Sequence, residues 1–358
     1  MACRRDKVAF TKIKSMDFPR NVLIGHDAIL RAAQVCKSLR FGKKGLMITG
    51  SDTYKAAGSL VEGLMSEDFD ITVLITGNAT MENVDEACSL AKEKDSSFLM
   101  AVGGGSKIDI AKMVAKNLDI PFLSIPTSIS HDGIASDRAS LKSNTGSLSV
   151  ETVSPTGIIA DTKIISDAPY RYLASGCADV ISNLTALKDW EFANMMCGEE
   201  LSSSAFMISK YAAENIIDNC NIIKPGLEES VWYVMRPIVA SGVSMCIAGS
   251  SRPTSGSEHM FSHALDVLCP ERALHGEQCG IGAIMMMHLH GGDWRRIRDA
   301  LNSIGAPTTA EEMGFTEDDI VDALVMAKDM RKERFTILGD KGLNREAARN
   351  LAYRTKVI

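Results

Sequence analysis

Strand signals stop abruptly near residue 161 of this 358-residue chain, and that break limits what it can fold into. Before it, the apolar runs Gly45–Thr49, Ile71–Thr76, Phe98–Val102 and Pro121–Ile125 alternate with helically spaced stretches at 53–65, 81–94 and 106–117. Short continuous apolar runs read as strands covered on both faces. Alternating with helices of this length, they build βαβ units around a parallel sheet. A polar interval follows, in which Ala139–Ser143 and Ser147–Thr152 alternate about Asn144-Thr145-Gly146, the pattern of a hairpin. Gly157–Asp161 adds a last strand, and Asp167-Ala168-Pro169 marks a boundary, because proline bars the preceding residue from helical geometry. Beyond it, 174–194, 202–219, 229–248, 257–267, 276–290 and 294–303 all carry helical spacing. The expected fold is an α/β domain over 1–167 and an all-helical domain over 168–358, since one core rarely grows to this length.

A net charge of −6 argues against nucleic acid as a partner. Nine cysteines without a Cys-x-x-Cys pair fit reduced thiols in a cytoplasm, and the opening MACRRDKVAF lacks a secretory apolar core. The longest apolar stretch, 231–249, contains Arg236 and Pro237, which suits a buried helix pair or a kinked core helix better than a membrane span. A soluble, cytoplasmic protein without membrane insertion is expected.

Two local patterns carry chemistry. Gly103-Gly104-Gly105-Ser106-Lys107 joins a strand to a helix, where backbone N–H groups can cradle a phosphate; a merely tight turn is the competing reading. The next strand runs into Thr127-Ser128-Ile129-Ser130-His131-Asp132, whose hydroxyls suit a nicotinamide ribose or a self-capping turn. Asp132 suits a substrate hydroxyl or an Asx turn, and Ser51-Asp52 reads as a helix cap. The loop Gly77-Asn78-Ala79-Thr80 holds neither an acid nor an arginine that would decide between NAD and NADP.

His259 and His263, four residues apart, share one helix face, and His275 follows. The order Glu-His-x-x-x-His lacks the protease spacing His-Glu-x-x-His. Asp179, inside the apolar run around Gly176–Ile181, is a coordinated carboxylate, a partly exposed helix residue or one arm of a structural ion pair. Two imidazoles and a carboxylate suit Zn²⁺, with Fe²⁺ or Ni²⁺ as alternatives. Arg138, Lys142 and Arg252 are candidate phosphate donors.

The stretches VGGGSKIDIAK (Val102–Lys112), IPTSISHDGIAS (Ile125–Ser136), GCADVISN, GSEHMFSHALD and HGEQCGIG resemble the iron-type alcohol dehydrogenase and glycerol dehydrogenase-like superfamily. Within it they resemble the archaeal-type sn-glycerol-1-phosphate dehydrogenases, over nearly the whole chain. The resemblance implies a dehydroquinate synthase-like fold: a dinucleotide-binding α/β domain followed by a helical domain for metal and substrate. It implies NAD or NADP held by Gly103, Gly104, Gly105, Ser106, Lys107, Thr127, Ser128, Ile129, Ser130 and Ser136. It implies one Zn²⁺ on Asp179, His259 and His275, with Asp132, Asp179 and His263 as catalytic substrate contacts. The implied reaction is reversible reduction of dihydroxyacetone phosphate to sn-glycerol 1-phosphate, the start of archaeal membrane phospholipids, in a homo-oligomer. The competing enzymes are a glycerol dehydrogenase acting on free glycerol and a 3-dehydroquinate synthase-like lyase.

Overall fold

In a computed structural model, which describes residues 13–143 and 146–358, strands fill the first half and helices the second. The strands are β1 (Asn21–Gly25), β2 (Lys44–Thr49), β3 (Asp70–Ile75), β4 (Phe98–Gly103), β5 (Phe122–Pro126), β6 (Arg138–Ser143), β7 (Gly146–Glu151) and β8 (Gly157–Asp161). Six form one parallel sheet in the order β1-β8-β5-β4-β2-β3. Along β2 and β4 successive side chains enter different cores. Leu46, Ile48, Leu99 and Ala101 join one apolar cluster, and Met47, Phe98, Met100 and Val102 the other. Burial on both faces is why these strands are apolar throughout.

The chain leaves β2 toward β3 and returns to place β4 on the other side of β2, so the sheet's carboxyl edge opens a crevice there. β6 and β7 pair antiparallel from Arg138↔Glu151 to Ser143↔Gly146, apart from the sheet. Of the expected hairpin turn, Asn144 and Thr145 lie outside the described residues, as does the N-terminal run read for a secretory signal.

Three differences from the sequence reading have physical causes. β1 was not anticipated: it is five residues long and only partly buried at the sheet edge. Ser51-Asp52 does not cap the next helix. Both residues lie in its first turn, and Thr53 Oγ1 accepts the Gly50 N–H at 2.8 Å. The helical run to Met65 also widens into a π turn over Tyr54–Gly58. Pro237 lies within one continuous helix, Glu228–Ala248, whose length and composition alone would allow a membrane crossing; 56% of its apolar window is buried inside the protein.

After Asp161 every regular element among the described residues is a helix. Three position the site: Tyr170–Cys197, which carries Asp179; Ser257–Leu268, with His259 and His263; and His275–Leu289. The first and third pack closely because residue 276 has no side chain. A Cβ on Gly276 would collide with the carbonyl oxygen of Ser175, and one on Gly280 would lie 3.0 Å from Ala178 Cβ. Gly276→Ala should therefore lower stability by about 1–3 kcal/mol through overpacking. Thermal or urea unfolding reads this directly; a wild-type midpoint would mean that the helices do not cross this closely.

Candidate active site

One helix sets the starts of the other two. Asp189, on the Asp179 helix, accepts the Ser257 N–H and the Ser257 hydroxyl, both at 2.6 Å, and so caps the helix bearing His259. Arg171, at the other end of that helix, grips Glu277 with two bonds of 2.6 Å, while Glu277 accepts the Leu274 N–H at 2.9 Å. That second clamp fixes the first turn of the helix that His275 opens.

The result is a donor cluster. Asp179 Oδ1 lies 3.8 Å from His259 Nε2 and 3.8 Å from His275 Nε2. Two ligands about 2.1 Å from one ion can be no more than about 4.2 Å apart, so these separations suit a shared cation. The other atoms of each group are already held. Asp179 Oδ2 accepts the Asp132 N–H at 2.9 Å, His259 Nδ1 lies 2.9 Å from Glu258 Oε1, and His275 Nδ1 lies 3.1 Å from Ser262 Oγ. Each imidazole is thus oriented by its second nitrogen, the arrangement that metal-ligating histidines require. Burial lowers the pKa values of His259 and His275, which keeps both rings neutral and able to ligate. Burial also raises Asp179 to about 7; for Asp132 the same burial, together with the neighbouring Asp179 charge, does so as well. A divalent cation would relieve that cost. Cys279, one turn beyond His275 and with Sγ 3.5 Å from His275 Nε2, completes a group whose ligand atoms lie within 4.8 Å of one another.

These groups open on a cavity of about 730 Å³. Asp132, Asp179, His259, His263 and His275 line it with Ser106 and Ser136, as does the Asn78–Glu82 loop after β3. Asp132 Oδ2 accepts the Ser241 hydroxyl at 2.7 Å. His263 shares the helix face of His259 yet turns elsewhere: its Nε2 is 3.4 Å from a guanidinium nitrogen of Arg331, and its buried Nδ1 has no hydrogen-bond partner among the described residues. Burial, aided by the Arg331 charge, pushes His263 down to about 3.

The glycine-rich turn leaves β4 at the sheet's crevice, with Gly104 just before the helix Gly105–Leu118. The Lys107 ammonium donates to the Gly77 carbonyl and so ties this turn to the loop after β3. Thr127 N–H donates to the Gly103 carbonyl at 3.1 Å, and Ser128 Oγ would stand 3.1 Å from a Cβ on Gly104. The Ser130 carbonyl accepts the Ser175 hydroxyl at 3.0 Å. Ile129 packs its side chain into the apolar core, leaving only its backbone for a ligand.

Sequence reasoning missed several residues here. His131 fills the space that a side chain on Gly105 would need, so its ring lies against the glycine-rich turn. Lys112, fully buried, donates to the carbonyls of Gly133 and Arg138 and to Ser136 Oγ at 3.2 Å. Arg331 and Arg334 follow a helix in a run, RKER, that reads as solvated surface. The three cations considered for phosphate already have carboxylate partners, Arg252 with Glu199, Lys142 with Glu271 at 2.6 Å, and Arg138 with Glu151 and Asp137, although Arg138 and Lys142 line the cavity.

A glycine-rich turn at the switch point of a parallel sheet, facing a histidine–carboxylate cluster on helices, defines a class of nucleotide- and metal-dependent oxidoreductases. Residues 23–169 match the family model described as iron-containing alcohol dehydrogenase. The chain is 50% identical to glycerol-1-phosphate dehydrogenase [NAD(P)+] of Methanosphaerula palustris, covering 95% of this chain and 94% of that one. It is 49% identical to the same-named protein of Methanosarcina mazei, over 96% and 97% of the two chains. In fold it is similar to a probable glycerol dehydrogenase of Sinorhizobium meliloti, with TM-score 0.78 and 19% identity over 96% and 98% of the chains. The chain belongs to the glycerol-1-phosphate dehydrogenase family.

Glu258→Ala should weaken metal retention about 10- to 100-fold, since it removes the carboxylate that orients His259. Competition with a chromogenic chelator measures this, and wild-type affinity would show that Glu258 does not set the ring.

Proposed function

We propose that this chain reduces dihydroxyacetone phosphate reversibly to sn-glycerol 1-phosphate with NADH or NADPH. The reading rests on one observation: a single cavity is bordered both by the loops at the sheet's carboxyl edge and by the Asp179–His259–His275 cluster. Relatives half identical over nearly the full length, named for that activity and for NAD(P)+, support it.

In this reading residues 1–167 hold the nucleotide and 168–358 hold metal and substrate. Gly103–Lys107 receive the pyrophosphate at the helix start, and Thr127–Ser130 with Ser136 hold the nicotinamide end. Asp179, His259 and His275 hold the cation; the nitrogen and oxygen donors suit Zn²⁺, and Fe²⁺ or Ni²⁺ can take the same set. When bound, the cation supplies Lewis-acid polarisation of the carbonyl and the nicotinamide supplies the hydride. The chain's own contribution is placement. Asp132, anchored through Oδ2 by Ser241, presents Oδ1 to a substrate hydroxyl, and neutral His263 helps to position the substrate and relay its proton.

Cytoplasmic residence and assembly into a homo-oligomer belong to the same proposal. Eight free cysteines among the described residues fit a reducing compartment, and Met195, Met196, Met207 and Tyr211 leave exposed apolar surface for a second copy.

Chiral analysis of the glycerol phosphate formed from dihydroxyacetone phosphate tests the reading. sn-Glycerol 1-phosphate is expected; the opposite enantiomer, or equal turnover of free dihydroxyacetone, would sink it. His259→Ala should lose both stoichiometric metal and turnover, measured by elemental analysis beside the rate. Full activity with bound metal would remove His259 from the ligand set.

A further inference from the structure

Buried Arg252 and half-buried Arg138 each have a carboxylate: Glu199 for the first, Glu151 and Asp137 for the second. Arg331 and Arg334 do not. Arg331 reaches Ser251 Oγ at 3.3 Å and His263 Nε2 at 3.4 Å; Arg334 reaches the Ser255 carbonyl at 2.5 Å and Ser251 Oγ at 2.9 Å. No ion pair to a carboxylate joins either guanidinium among the described residues. Uncharged partners leave two adjacent positive charges in a desolvated place with only more distant carboxylates, Glu258 among them, to offset them, which is costly unless an anion arrives. Burial, and for Arg334 the neighbouring Arg331, pushes both values below the ordinary guanidinium range, Arg334 to about 9. A guanidinium keeps its proton under ordinary conditions, so that push registers a positive potential held away from water.

The potential faces the site. Arg331 lines the cavity with Ser251, Thr254 and Ser255, and the buried Ser255 hydroxyl has no hydrogen-bond partner among the described residues. His263 stands beside Arg331, one helical turn (about 5.4 Å) from His259. A short phosphate ester with its carbonyl at the Asp179–His259–His275 cluster would therefore bring its phosphate to Arg331. The planar fork of arginine matches phosphate oxygens in pairs.

We propose that Arg331, backed by Arg334 and flanked by the Ser255 hydroxyl, binds the phosphate of the substrate and makes the enzyme select phosphorylated trioses over free ones. This rests on the reaction proposed above and adds the residues that recognise its anionic end.

The test uses the metal-loaded enzyme with reduced cofactor, comparing Arg331→Leu and Arg331→Lys with the wild type. The readouts are the ratio of kcat/KM for dihydroxyacetone phosphate to that for dihydroxyacetone, and the affinity for inorganic phosphate by calorimetry. In Arg331→Leu the ratio should fall about 100-fold and phosphate binding should weaken in parallel, the scale of lost charge-assisted bonds. Arg331→Lys keeps a point charge without the fork and should lose about 10-fold, so it carries the test if the leucine variant fails to fold. Wild-type ratio and phosphate affinity in the variants would overturn the assignment alone. A wild-type enzyme indifferent to the phosphate would overturn the proposed reaction instead, and calorimetry would then decide whether Arg331 binds an anion.

Discussion

The hydrogen bond from the Asp132 N–H to Asp179 Oδ2 joins the two halves at the point where chemistry is placed. Asp132 follows β5 on a loop from the sheet, whereas Asp179 lies in the middle of a 28-residue helix of the other half. A carboxylate at 3% exposure needs a donor, and this one arrives from the opposite element. With Oδ2 committed, Oδ1 is the atom left to face the two imidazoles. The same bond therefore orients the Asp179 carboxylate and fixes the spacing between the loop after β5 and the histidine helices.

Charge is distributed across the cavity rather than cancelled within it. Asp132 and Asp179 gather acid on the side of the histidine cluster, while Arg331, joined to Arg334 through Ser251, gathers base beside His263. Each group alone is an expensive burial, and the neutral His263 ring separates them. A cation at one end and an anion at the other would relieve both penalties by ligands instead of by the protein, as in sites whose residues are held at a cost until they are filled.

How far the sequence foretold this depends on the range of each interaction. β2, β4 and β5 were legible because continuous apolar runs leave few alternatives, whereas β1 escaped as a short edge strand. The spacing of His259 and His263 placed both on one face but could not tell that one imidazole turns to Asp179 and the other to Arg331. That partner lies 68 residues downstream, in a charged run that resembles solvated surface. Cys279 carried a readable signal, one turn after His275 on the same helix, since periodicity alone puts both on one side.

Lys112 shows how a residue without chemistry of its own sustains the site. Its ammonium, fully buried, lies 3.4 Å from Asp109 and donates to the carbonyls of Gly133 and Arg138, which flank Ser136. Asp109 in turn accepts the Ser140 N–H at 3.2 Å, so one turn of the helix after the glycine cradle grips the segment from Asp132 to the hairpin. The glycine-rich helix start and the loop that delivers the Asp132 N–H are thereby one mechanical unit. Removing the ammonium would take its donor from two carbonyls and the Ser136 hydroxyl together, loosening the loop that holds its amide against Asp179. The precision of the cluster on the helices thus depends on a lysine anchored beneath the sheet's edge.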